Sequence, residues 1–98
     1  MKAMYASEVN AALQQGKKLN IIDVREYDEV VAGTIPGAIH IPLGLLEFRM
    51  NELDKNKEYI IVCRSGARSG RATQFLEYYG YNVTNMTGGM ISWEGKIA

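Results

Sequence analysis

The sequence predicts one α/β domain over residues 1–98, built on a mostly parallel sheet with helices on both faces. Three observations predict it. Short β-branched runs alternate with segments of helical periodicity along the whole chain. The run Tyr59-Ile60-Ile61-Val62 is apolar without polar alternation, as expected of a strand buried on both faces of a parallel sheet. The 98 residues are 47% hydrophobic and 22% charged, without a repeat, linker or low-complexity tract, which fits a single ordinary globular domain.

In chain order, Met1–Ser7 leads directly into a first helix, with Ser7 as candidate N-cap, Val9, Ala12 and Leu13 on the buried face, and Gly16 closing it after Gln15. A strand follows near Ile21–Val24, then a short helix from Tyr27 to Ala32 ended by Gly33. A strand at Ile39–Ile41 leads through Pro42 into a third helix, in which Leu46, Met50 and Leu53 keep helical spacing. After the Tyr59–Val62 strand, Ala72, Phe75, Leu76 and Tyr79 recur at i, i+3, i+4 and i+7, with Gly80 as C-terminal cap. Tyr81–Met86 reads as the final strand and Met90–Glu94 as a last helical turn. Trp93 is expected to pin that turn onto the core. Tyr78 and Tyr79 are expected to split, one packed and one exposed, and Gly88-Gly89 to form a turn carrying the backbone close to the loop after Cys63.

Composition narrows the chemistry. Eleven Lys and Arg balance eleven Asp and Glu, so the chain lacks the basic stripe that nucleic acid calls for. No stretch approaches the length of a membrane span and no apolar signal core opens the chain, so a cytoplasmic location without membrane contact is expected. One cysteine forms no internal disulfide, and one cysteine with one histidine cannot supply the usual four zinc ligands, so no metal is expected. Neither a Gly-x4-Gly-Lys-Ser/Thr loop nor a Gly-x-Gly-x-x-Gly fingerprint occurs, and no cofactor is implied. His40 lies in an Ile-His-Ile alternation without an orienting Asn or Asp, which reads as a satisfied structural histidine rather than a base.

The chemistry concentrates in Cys63-Arg64-Ser65-Gly66-Ala67-Arg68-Ser69, between the apolar strand and the helix. In a strand-loop-helix unit the loop N–H groups and the positive end of the helix dipole converge on the loop's mouth, an anion site. A helix N-terminus and nearby arginines, here Arg64, Arg68 and Arg71, lower a thiol's pKa below its free value of about 8.5. Cys63 therefore reads as an ionised nucleophile. The competing reading makes it a small hydrophobe ending a buried strand, which needs no cationic surround. Asp23 and Arg25 lie at another strand's carboxyl end, next to the expected crevice. They read as structural, Asp23 capping the next turn near Tyr27 and Asp28 and Arg25 pairing with an acidic neighbour.

Four segments in order, Ile22-Asp23-Val24-Arg25-Glu26, Gly33 to Pro42, the Cys63 loop, and Gly88-Gly89-Met90-Ile91-Ser92-Trp93, resemble a single-domain rhodanese-like sulfurtransferase over nearly the whole chain. One departure is visible: Thr34 stands where family members often carry histidine, read as a surface or local-packing change. The resemblance implies a five-stranded rhodanese-like domain over residues 1–98. It also implies a sulfur relay in which Cys63 takes sulfane sulfur from a small anionic donor such as thiosulfate as a persulfide. That sulfur passes to cyanide or to a thiol, a protein thiol included, in ping-pong fashion. Arg64, Ser65, Gly66, Ala67, Arg68 and Ser69 would hold the donor and the persulfide, with Asp23 and Arg25 buttressing the site's edge. Two other readings stand beside it. One is a binding or regulatory module of the same fold without turnover. The other is a cysteine phosphatase or arsenate reductase, disfavoured because Cys-x4-Arg is one residue shorter than the loop those enzymes close around a tetrahedral oxyanion.

Overall fold

A computed structural model describes residues 1–98. Five strands, β1 (Lys2–Tyr5), β2 (Asn20–Asp23), β3 (Ile39–His40), β4 (Glu58–Val62) and β5 (Asn82–Thr87), make one sheet in the order β1-β5-β4-β2-β3. Every pairing is parallel. Four helices connect them: α1 (Ala6–Gln14), α2 (Tyr27–Val31), α3 (Leu46–Arg49) and α4 (Ala67–Tyr78).

The central strand β4 explains its own unbroken apolar run. Side chains alternate across a strand, so Tyr59, Ile61 and Cys63 enter one core with Leu46 of α3 and Ala72 and Leu76 of α4. Ile60 and Val62 enter the other with Ala6 and Val9 of α1 and with Met86. Both faces are covered, as the sequence reading expects, and the sheet is wholly parallel. No helix is long and apolar enough to cross a membrane.

The chain departs from expectation where tertiary pairing overrides local pattern. Residues before the first helix form β1, which the sequence reading runs straight into α1. Its four residues are largely exposed and carry no alternating pattern, and they are strand because Lys2–Tyr5 pair in register with Thr84–Thr87 of the edge-seeking β5. α1 is then capped at Tyr5, whose N–H donates to Glu8 Oε1 at 2.8 Å, so Ser7 lies inside the helix rather than at its cap. The third helix is not continuous: a 3-10 turn at Leu43–Leu45, the single α-turn of α3, and a second 3-10 turn at Met50–Glu52 follow one another. Leu46 and Leu53 are buried all the same. Tyr78 and Tyr79 are both exposed, and Tyr79 leans its ring on Phe75 at 5.0 Å. The last turn is 3-10, at Met90–Ser92, and Trp93 beyond it is half-buried against the α1 core, as expected. The α4 terminus follows the sequence reading, with Gly80 N–H bonded to Glu77 O and Tyr81 N–H to Leu76 O, both at 3.0 Å.

At its carboxyl end β5 turns back over β4. Met90 N–H donates to Cys63 O at 2.9 Å and Ile91 N–H to Arg64 O at 3.0 Å. Gly89 makes the approach possible, at φ +59° and ψ −160°, a region essentially restricted to glycine. A Cβ there would lie 2.4 Å from Arg64 O and 2.7 Å from Cys63 O. Gly89→Ala is therefore expected to destabilise the fold by about 2 kcal/mol or more, measured by urea unfolding. Wild-type stability in that variant would show that the turn can leave the β4 end without cost.

Candidate functional site

Cys63 ends β4 at the carboxyl edge of the sheet and is 1% exposed. Its Sγ accepts the Gly66 N–H at 3.0 Å and lies 3.2 Å from Ser69 Oγ. Local geometry dictates this cradle. A trans peptide directs its C=O and N–H oppositely, so tying Arg64 O outward to Ile91 turns the Ser65 N–H inward. Gly66 then takes φ +110° and caps α4, which brings its own N–H and that of Ser69 toward the sulfur.

Burial pushes the Cys63 thiol up. The Ser69 hydroxyl and the N–H groups of Ser69, Gly66 and Ser65 outweigh it and leave the thiol below the ordinary cysteine range. The main agents are hydrogen-bond donors at the loop and helix start, which the sequence reading names beside the arginines. Ser69 is fully buried, and its carbonyl accepts the Thr73 hydroxyl at 2.7 Å, which seats the first turn of α4.

Of the loop cations, Arg68 turns away from the mouth into a bidentate pair with Glu29 of α2, at 2.6 and 2.8 Å. Its charge is stabilised first by Glu29 and more weakly by Cys63. The same bonds from Arg68, against a smaller effect of burial, hold the Glu29 carboxyl at about 2. Arg64, Ser65 and Ala67 are exposed, and Arg64 enters none of the ion pairs. Arg71, one turn further, is also exposed and lines a shallow cavity of about 280 Å³ with Leu43, Leu46, Glu47 and Phe75.

Asp23 and Arg25 form a buried pair, 1% and 6% exposed. Asp23 accepts the Arg25 backbone N–H at 3.0 Å, its guanidinium at 2.7 to 3.1 Å, and the Thr34 hydroxyl at 2.7 Å. Arg25 Nη2 also donates to Gly33 O at 2.7 Å. The pairing of Arg25 with an acidic neighbour matches the sequence reading, but Asp23 caps nothing near Tyr27 or Asp28. α2 is capped at Glu26, whose N–H donates to Glu29 Oε1 at 3.0 Å. Of the two readings of Thr34, the structure shows the local-packing one, since its hydroxyl completes the bonding of the Asp23 carboxylate. His40 Nε2–H donates to Arg25 O at 2.7 Å, the satisfied structural histidine expected. Glu29 is the residue sequence reasoning missed, because nothing local marks a carboxylate that meets a guanidinium 39 positions away.

The family description "Rhodanese-like domain" matches residues 5–96. The chain belongs to the rhodanese-like family. A Bacillus subtilis protein named "Putative sulfurtransferase YtwF" is 40% identical over 96 residues, covering 98% of this chain and 93% of that one. A protein of Allochromatium vinosum named "Sulfurtransferase" is 42% identical over 74 residues, covering 74% of this chain and 69% of the other. Among solved structures, a rhodanese-like domain protein from Staphylococcus aureus superimposes with TM-score 0.92 at 35% identity, covering 98% of this chain and 94% of that chain.

Two measurements check this rhodanese-like site. The rate of Cys63 alkylation against pH is expected to show a midpoint below that of a free cysteine. Ser69→Ala should raise that midpoint by about half to one pH unit, the worth of one hydrogen bond to the ionised form. Because the folded thiol is the stronger acid, its ionisation stabilises the fold fully above the unfolded pKa, and that gain is lost as pH falls through the folded value. For Glu29 the same sign applies lower down: the pair with Arg68 stabilises fully above the ordinary carboxyl range and is lost as pH falls toward about 2. Glu29→Gln is expected to flatten the acid limb of the stability curve in that window, read by thermal unfolding from pH 5 to 2. An unchanged limb would mean that the pair contributes nothing.

Proposed function

We propose that the chain is a sulfurtransferase in which Cys63 carries sulfane sulfur from an anionic donor to a nucleophilic acceptor. The observation that carries the reading is the cradle of N–H groups and one hydroxyl around Sγ, with the thiol held acidic by them. The Cys63 thiolate attacks the outer sulfur of a donor such as thiosulfate. A new S–S bond forms, the donor's S–S bond breaks, and sulfite leaves with the electron pair. Cys63 is then a persulfide whose terminal sulfur bears the negative charge. Its stabilisation falls to donors already in place, as in an oxyanion hole. An acceptor thiolate or cyanide attacks that sulfur and releases the Cys63 thiolate. No proton need be moved in either displacement, in keeping with a loop that lacks a paired base.

Arg64 is the loop cation free to meet the donor's sulfonate, since Arg68 is neutralised by Glu29. Arg68 instead holds α4 against α2 and so keeps the loop's far wall in place. Asp23 and Arg25 act through that frame: Arg25 fixes the Gly33 carbonyl and adds a weak field to Glu29. The names of the relatives, sulfurtransferases among them, agree with this reading.

Incubation with thiosulfate is expected to add one sulfur atom to Cys63 in intact-mass analysis, and cyanide should then release thiocyanate and restore the original mass. Cys63→Ser should lower thiocyanate formation on the order of 10³-fold or more. Retention of the rate in that variant, or failure of the wild-type chain to take up sulfur, would leave a binding module of the same fold as the better account.

A further inference from the structure

At the level of the active loop, β5 places a polar side chain on the face that meets α4. Asn85 lies two residues from Val83, on the same face of the strand, where Val83 packs in the α4 core, and is 7% exposed. Its Nδ2 donates to Gly66 O at 3.4 Å, a carbonyl that also accepts the first bond of α4, from Gly70 N–H at 2.9 Å. Its Oδ1 is buried with no hydrogen-bond partner. An orphaned amide oxygen is costly to bury, and an apolar side chain of similar volume would avoid that cost. The amide's use must then lie in its donor end. The orientation follows from Gly66 O, because the reversed amide would set two oxygens against each other.

We propose that Asn85 is a positioning residue for the Cys63 thiolate: its amide grips the Gly66 carbonyl and so keeps the Gly66 N–H aimed at Sγ. A glycine has both signs of φ open to it, and Gly66 sits at φ +110° without a side chain to steady it. Its N–H belongs to the Ser65–Gly66 peptide and its carbonyl to the next, so holding the carbonyl fixes one of the two planes that flank the glycine Cα and narrows the motion left to the N–H. That carbonyl has two donors, one from the helix and one from Asn85. The Ala67 N–H, in the same planar peptide as Gly66 O, is directed away from Asn85 by the same grip. The role rests on the reading of Cys63 as the sulfur-accepting nucleophile, and it concerns only the readiness of that nucleophile.

The test is titration of the Cys63 thiolate, by alkylation rate against pH, in the wild-type chain, Asn85→Leu and Asn85→Ala, with thermal unfolding in parallel. In both variants the midpoint should rise by about half a pH unit, so that alkylation near neutral pH falls about threefold. Asn85→Leu should unfold at the wild-type temperature or above, because it removes the orphaned oxygen while filling the space. Where leucine does not fit, Asn85→Ala, which only deletes atoms, decides the matter. A folded variant with the wild-type midpoint would overturn the proposal and make Asn85 a space-filling residue. No sulfur donor enters the titration, so a wild-type chain that never takes up sulfur sinks the functional reading without imitating this outcome.

Discussion

The structure depends on the two hydrogen bonds by which the turn after β5 grips the end of β4. Cys63 O and Arg64 O accept from Met90 and Ile91, and what faces outward at these carbonyls decides what faces inward. With both oxygens taken, the N–H groups of Ser65, Gly66 and Ser69 turn to the sulfur. The glycine pair is the steric condition for this contact, since no side chain fits between Gly89 and the two carbonyls. The lowered thiol pKa thus rests first on the Ser69 hydroxyl and then on backbone direction, the latter set one strand away from the cysteine.

Charge has a different task. The four arginines near the crevice divide into two that are consumed by the frame and two that are free. Arg25 is spent within a buried, saturated cluster with Asp23, Thr34 and Gly33 O, and Arg68 within its pair with Glu29. The buried Asp23–Arg25 pair is weak evidence of net stability, but removing one of its members strands the other at about 3–5 kcal/mol. The half-buried Arg68–Glu29 pair ties α4 to α2. Arg64 and Arg71 remain in solvent, where their fields are screened over about 10 Å. Under the proposed function Arg64 is the one that meets the anionic donor.

Much of this was legible in the residues. The Tyr59–Val62 run marked the central strand, the Gly80 stop marked the end of α4, and the loop with its arginines, its glycine and the helix start marked Cys63 as the candidate nucleophile. The Gly88-Gly89 turn was read correctly because two adjacent glycines demand a backbone reason. What stayed hidden was decided by partners distant in sequence. β1 is strand because β5 has a free edge, although Lys2-Ala3-Met4-Tyr5 carries no strand pattern of its own. Arg68 looked like a substrate cation until Glu29 was placed beside it. Asp23 has the composition of a cap, yet its carboxylate is already filled by Arg25 and Thr34. The third helix kept the right spacing of apolar residues, but Leu43–Glu52 is short of the length at which helical hydrogen bonding outcompetes tighter turns.

The strand order carries one more consequence. Because β4 is central, its neighbours come from opposite halves of the chain: Asn20–Asp23 on one side and Asn82–Thr87 on the other. Pairings so far apart form late, after long stretches of chain have been closed into loops. Until both sides have docked, the turn after β5 cannot hold the Cys63 and Arg64 carbonyls, and the Cys63 thiol lacks part of the backbone frame that lowers its pKa. An acidic thiol is therefore a property of the completed sheet and not of the loop alone.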